Sequence, residues 1–176
     1  MNRKEILRYI AGYIFGGSFF LLVIPGLLYA VSSFSDLLFL RHIFNNARIR
    51  IIISLAFFIP GIVFMIWSNA ALFIIGKGGP AEGFGIEISP KTKVLVMSGP
   101  YRYTRNPMVF GAYSIYLGFS FFLNSYTALI PVILFLPVII MYLKKSEEKR
   151  LMKDFGREFL KYRERVSIFI PLPPVK

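Results

Sequence analysis

Cysteine is absent from the 176 residues. Disulfides, thiolate zinc sites and a cysteine nucleophile are thereby excluded. Histidine occurs once, as His42, among arginines and with no carboxylate cluster beside it. It reads as a surface residue rather than a metal ligand, and no metal is expected. Acidic residues are scarce, 9 against 21 lysines and arginines, which gives a formal net charge of +12. Charge of either sign is missing from Met108 through Leu143. No Walker spacing and no strand followed by GxGxxG is found, so the common phosphate-cradling loops are excluded as well.

What is present is hydrocarbon-compatible. The chain is 56% hydrophobic, with a mean hydropathy of +0.62, above the roughly 45–50% of soluble domains. The basic residues flank apolar runs, so the partner they imply is a lipid bilayer with anionic headgroups, not nucleic acid.

Tyr9–Val31 runs 23 residues without a charge, long enough for ~30 Å of hydrocarbon and too long for a signal peptide. Pro25-Gly26 is expected to kink it, and Gly12 with Gly16 forms a small-xxx-small pair for helix packing. Ser32–Arg50 is a basic connector whose Leu37–Leu40 piece suits the interface. Ile51–Ile75 is the second span, with a bend expected at Pro60-Gly61 and Trp67 in an interfacial belt. Gly76–Lys93 is glycine-rich and reads as a mobile loop. Pro107–Leu123 is a third, short span, Asn124–Tyr126 a tight turn, and Thr127–Leu143 a fourth span that Pro131 or Pro137 could split into two. Lys144–Arg165 holds nine basic and five acidic residues, with Leu151, Phe155, Phe159, Tyr162 and Val166 at helical spacing. It predicts a surface amphipathic helix. The tail from Ser167 on is apolar and proline-rich and is expected to pack over the protein. The fold class is therefore all-α: a polytopic membrane bundle of four to five transmembrane helices with a C-terminal amphipathic helix. Two parts are expected, 1–92 with the first spans and their loop, and 93–176 with the hairpin and the amphipathic helix.

One polar stretch stands out, Met97–Gly111, reading MSGPYRYTRNPMVFG. Gly99-Pro100 marks a turn. Asn106-Pro107 predicts a helix start, with Asn as N-cap and Pro at the first helical position. The free N–H groups there suit a carboxylate or phosphate. Extending the amphipathic stripe back one turn lands on Glu147, beside Glu148. A carboxylate on a buried face needs a partner, either Arg150 or Lys144 on its own helix or a ligand. Basic flanks place the N-terminus, the Gly76–Arg105 loop and the last helix on the cytoplasmic side. The connector before Arg50 breaks that pattern, since it is basic yet faces out. Both ends of the membrane hairpin then carry polar groups on one side. A zwitterionic, nucleotide-like ligand suits them: its amino group at Glu147, its carboxylate at backbone N–H groups, its base on apolar residues.

LVMSGPYRYTRNPM, a following Gly111, and EEKRLMKDFGREFLKYRERV together resemble the isoprenylcysteine carboxyl methyltransferase family, prokaryotic or archaeal members in particular. The wider superfamily includes phospholipid methyltransferases. The resemblance spans roughly Lys93–Val166. It implies S-adenosyl-L-methionine as cofactor, with S-adenosyl-L-homocysteine as product, at a cytoplasmic face. Carried over by position, the cofactor-binding residues are Lys93, Val94, Leu95, Val96, Gly99, Tyr101, Asn106, Pro107, Met108, Val109 and Glu147. The catalytic candidates are Arg102, Arg105 and Glu148. The family has His where this chain has Asn106, and its eukaryotic members place a substrate-binding arginine where this chain has Leu143; Lys144, Arg102 or Arg105 would have to substitute. The implied reaction is carboxyl O-methylation of a lipophilic substrate such as a prenylated cysteine, transferred in line without a general base. Phospholipid N-methylation is the alternative, disfavoured because an amine nucleophile needs a proton acceptor and no histidine lies nearby. A sterol-reductase-like enzyme and a non-catalytic membrane scaffold are more distant alternatives.

Overall fold

A computed structural model describes residues 3–34, 42–78, 82–83, 86–87 and 92–175. Helix α1 (Arg3–Ser18) passes through a π turn at Phe19–Val23 into α2 (Ile24–Ser32). The sequence predicts a kink at Pro25, and the π turn just before it is the form this takes. Proline cannot donate to the carbonyl four residues back and its ring crowds that carbonyl, so a wider turn accommodates it. Helix α3 (Ala47–Ala71) starts at Asn46, whose side chain accepts from the backbone N–H groups of Arg48 and Ile49. It runs through Pro60 and ends in a second π turn, Leu72–Gly76, closed by Lys77 in the left-handed region. Glu82–Gly83 and Ile86–Glu87 pair as a two-residue antiparallel ladder. The remainder of the expected mobile loop, 79–81, 84–85 and 88–91, and the Leu37–Leu40 interfacial piece lie outside the described residues.

Helices α4 (Pro107–Leu123) and α5 (Tyr126–Tyr142) form the expected hairpin. Asn124 makes the turn at φ 57, and the Ser125 side chain accepts from the Ala128 N–H. Neither Pro131 nor Pro137 interrupts α5. A third π turn, Leu143–Glu147, leads without a break into α6 (Glu148–Arg165). Three helical stretches are long and apolar enough to cross a membrane, namely Ile10–Ser32, Ala47–Gly76 and Tyr126–Arg165; α4 is apolar but shorter. Their outward faces carry exposed Leu, Ile, Val and Phe, as lipid-facing surfaces do. This is an integral membrane helix bundle.

In lipid no hydrophobic drive separates helix–helix from helix–lipid contact, so close packing of small residues must hold the bundle. The structure puts those residues between α3 and α4. A Cβ on Gly61 would stand 2.9 Å from the Gly111 carbonyl, one on Gly111 2.8 Å from the Gly61 carbonyl, and one on Gly118 2.9 Å from the Ser54 carbonyl. Of the small-residue pair expected at Gly12 and Gly16, Gly12 is buried, while nothing lies within 4 Å of a Cβ on Gly16.

The amphipathic stripe needs one correction. It is not a single uninterrupted helix: Gly156 has φ 51 and ψ −122, a conformation that in practice only glycine adopts, and the chain bends there. The bend still brings the stripe together, with Phe159, Tyr162 and Val166 buried around Leu95 and Leu151 and Phe155 packed against them. The tail packs as expected, with Phe169 against Phe110 and Tyr113.

Gly111→Leu is expected to lower the detergent melting temperature sharply, because the new side chain meets α3 backbone; overpacking of this kind costs about 1–3 kcal/mol or more. Gly16→Leu should leave it unchanged. Thermal unfolding of the two variants side by side checks this.

Candidate functional site

The polar stretch is shaped by short local elements. Gly99–Arg102 forms one 3-10 turn with Pro100 buried inside it. Gly99, at φ 63, has no side chain to collide with Trp67, whose Nε1 would stand 3.2 Å from a Cβ there. Thr104 is fully buried; its hydroxyl donates to the Phe169 carbonyl at 2.9 Å and accepts from the Asn106 N–H at 3.3 Å. Pro107 opens α4 as predicted. Asn106 occupies the position before it, but its side chain does not cap the helix. Its Nδ2 instead donates to the Ile168 carbonyl at 2.9 Å. The reason is the tail: the Arg105 N–H donates to Ser167 and the Leu172 N–H to Tyr103. The bond from Nδ2 to the tail carbonyl holds the Asn106 amide in an orientation in which its oxygen accepts from no first-turn N–H. Those N–H groups, on Met108 and Val109, keep the orphan status of any helix start.

From the other side, α6 closes onto this loop. Arg105 Nη1 donates to Glu148 Oε1 at 2.6 Å, with side-chain exposures of 10% and 15%. Arg163 Nη1 lies 3.7 Å from the second Glu148 oxygen. Tyr162 donates its hydroxyl to the Tyr101 carbonyl at 2.6 Å. Burial pulls the Arg105 guanidinium below its ordinary value, against the pull of the Glu148 carboxylate. Burial also pushes the Tyr101 phenol up, with Tyr162 and Glu147 adding to the shift. Tyr101 therefore stays protonated and remains a donor facing the Glu147 charge.

The structure thus brings Tyr101, Arg105, Glu147 and Glu148 together, from opposite ends of the α4–α5 hairpin. Glu147 makes the intrahelical pair that sequence allowed, accepting from Arg150 Nη2 at 2.8 Å. Leu95 is buried against Tyr162 and Phe159, Val96 is buried near Gly76, and Lys93 and Val94 are exposed. The Lys93 N–H is tied to the Gly76 carbonyl at 2.8 Å. Met108 and Val109 are half-buried in the first turn of α4. Arg102 is exposed and forms no ion pair among the described residues. Leu143 is 2% exposed and belongs to the core with Tyr113 and Phe169, so no polar site exists at that position. Among the described residues no group of three acidic or histidine side chains could hold a metal.

A family model for phospholipid methyltransferases matches residues 49–158. The chain belongs to the phospholipid methyltransferase family. That family includes the isoprenylcysteine carboxyl methyltransferases, and the match covers the first block of the sequence resemblance and the beginning of the second. Neither a curated protein nor a solved structure matches the chain. The protein is accordingly a membrane methyltransferase. The match runs from the third residue of α3 to the middle of α6, which takes in the glycine-packed α3–α4 pair and the Arg105–Glu148 contact.

Three contributors to this polar cluster were not foreseen. Tyr162 was assigned only to an apolar stripe; a tyrosine there must satisfy its hydroxyl, and that requirement was the available signal. Arg163 and Thr104 carried no local signal, since their partners lie far away in sequence.

Arg105→Met and Glu148→Gln should each destabilise the protein, and the double variant by less than their sum. A double-mutant cycle on detergent unfolding is expected to give a coupling of about 1–3 kcal/mol. A coupling near zero would mean that the pair does not join the loop to α6.

Proposed function

We propose that the protein binds S-adenosyl-L-methionine at the cytoplasmic end of the α4–α5 hairpin and methylates the carboxylate of a lipophilic substrate of the prenylcysteine type. One observation carries this reading: the Arg105–Glu148 ion pair joins the loop before α4, which holds Tyr101, to the start of α6, next to Glu147.

The donor set suits the cofactor's chemistry. The Met108 and Val109 N–H groups at the positive end of α4 suit its carboxylate. Glu147 suits its amino group and Tyr101 supplies a protonated hydroxyl. Leu95 and Val96 offer an apolar floor for a base, with Lys93 and Val94 at the rim. Gly99 and Pro107 shape the backbone on either side. Asn106, its amide held by the tail, keeps its Oδ1 as an acceptor. When bound, the cofactor supplies a sulfonium methyl: a carboxylate oxygen forms the new O–C bond as the S–C bond breaks, and no proton is released.

The chain's own part is orientation and exclusion of water. Glu147 and Glu148 each already accept a hydrogen bond from an arginine, Arg150 and Arg105. The only histidine, His42, lies near Asn124 at the other end of α4. A substrate already ionised at neutral pH suits such a site; an ammonium group that must first lose a proton does not. Arg105 is bound to Glu148, so Arg102, exposed and free of ion pairs among the described residues, is the better candidate to hold the substrate carboxylate. Arg105 and Glu148 then act as positioning residues.

Glu147→Ala should abolish heat release on titration with S-adenosyl-L-methionine, whereas Lys161→Ala, on the outer face of α6, should not; equal heats for both variants would remove the site. With labelled methyl donor, farnesylcysteine analogues should become labelled and phosphatidylethanolamine should not. Label on phosphatidylethanolamine alone would reassign the reaction to N-methylation. Arg102→Ala should raise KM for the carboxylate substrate about tenfold or more with a smaller effect on kcat, the loss expected when one charged hydrogen bond is removed.

A further inference from the structure

Basic residues in the connector before α3 contradict the charge pattern that orients the other spans. They lie at the far end of α4 from the Arg105–Glu148 pair, about 25 Å away at ~1.5 Å per residue. Topology does not account for them, because positive charge is enriched on the other side. The structure gives them a setting. A cleft of about 310 Å³ is lined by His42, Phe44, Asn45, Arg50, Leu123 and Asn124, together with Ala47. Its wall is fixed. Asn124 accepts from the Phe44 N–H at 2.8 Å and donates to the Phe44 carbonyl at 3.0 Å, clamping the connector to the α4–α5 turn.

Among the described residues no carboxylate lines this cleft. The first-turn N–H groups of α3 are already satisfied by Asn46, so they do not define a ligand site. The Arg50 side chain does: it lines the cleft, and its Nε has no acceptor among the described residues, so the guanidinium is not spent on a protein partner there. A buried guanidinium N–H without an acceptor is rare, and an incoming oxygen removes its cost. His42 and Asn45 flank the same space with further donors. Beyond the cleft, Ile51, Ile52, Leu55 and Ile59 are exposed along α3, an apolar track beside the charged mouth.

We propose that this cleft binds a phosphate-bearing anion, with the headgroup of an anionic phospholipid in the leaflet opposite the methyl-transfer site as its source. Arg50 and His42 hold the phosphate oxygens, Asn45 donates alongside, and the acyl chains lie against Ile51, Ile52, Leu55 and Ile59. The site does not depend on the methylation chemistry.

Native mass spectrometry of the detergent-solubilised full chain, offered phosphatidylglycerol or phosphatidylcholine, tests this. Wild-type protein should retain phosphatidylglycerol preferentially, and Arg50→Gln with His42→Gln should lower that retention by on the order of tenfold. Lys161→Gln, a basic residue elsewhere, should retain it as wild type does. Equal retention by the double variant, or no preference in the wild type, overturns the proposal. If the double variant does not fold, competition on wild-type protein decides: inorganic phosphate should displace phosphatidylglycerol while chloride at equal ionic strength should not, and failure to displace it overturns the proposal. Thermal stabilisation by phosphatidylglycerol but not by inorganic phosphate alone identifies the lipid as the source. Equal stabilisation by both supports the anion site with a soluble phosphate as occupant.

Discussion

A half-buried ion pair closes the polar end of this membrane protein. Arg105 belongs to a loop that precedes one side of the α4–α5 hairpin and Glu148 to the helix that follows the other. Their bond at 2.6 Å sits where a lone charge would be strongly disfavoured, so each requires the other. Removing either leaves an uncompensated charge beside hydrocarbon. The third member, Arg163, is 42% exposed and 3.7 Å away, and solvent screens its contribution. The functional geometry therefore rests on Arg105 and Glu148 rather than on the wider charge cluster.

Two supports make that pair possible. The first lies within the membrane, where Gly61, Gly111 and Gly118 let α3 and α4 meet backbone to backbone. This fixes where α4 begins and hence where Pro107 and the loop before it stand. The second is the tail. Its carbonyls at Ser167, Ile168 and Phe169 accept from Arg105, Asn106 and Thr104, and so it acts as an added strand along the loop. Thr104, fully buried at the bridge to Ser167, links both. Gly156 permits α6 to bend, so that its second half reaches Leu95 and Tyr101 while its first half continues the line of α5.

The two faces of the bundle differ in kind. At the α6 end the charges are paired in turn: Arg105 with Glu148, Arg150 with Glu147 and Asp154. At the Asn124 end His42 and Arg50 meet no acid among the cleft residues. Matched charge organises a site for a zwitterion, whereas unmatched positive charge at an interface draws anions. The same chain thus presents two different electrostatic surfaces to its bilayer.

Composition and periodicity determined the class of protein, because hydrocarbon tolerates only helices whose backbone bonds are internal. A run of about twenty apolar residues is legible without any partner. Pro107 as a helix start and the Leu151–Val166 stripe were legible for the same reason: proline's missing N–H and the 3.6-residue period act locally. Convergence of Glu147 with the Asn106 region followed from counting spans and reading basic flanks. What sequence could not supply were the long-range pairings. Gly61 and Gly111 lie on different helices and carry no joint local signal, and only the packed bundle shows that they meet. Asn106 has the chemistry of a cap, yet a tail carbonyl 62 residues away in sequence claims its amide. Arg102 and Arg105 are equivalent on paper, and only the fold gives Arg105 to Glu148 and leaves Arg102 exposed. Local rules fix which elements form, because their hydrogen bonds lie within a few residues. Which side chains meet depends on contacts that exist only once the helices are packed.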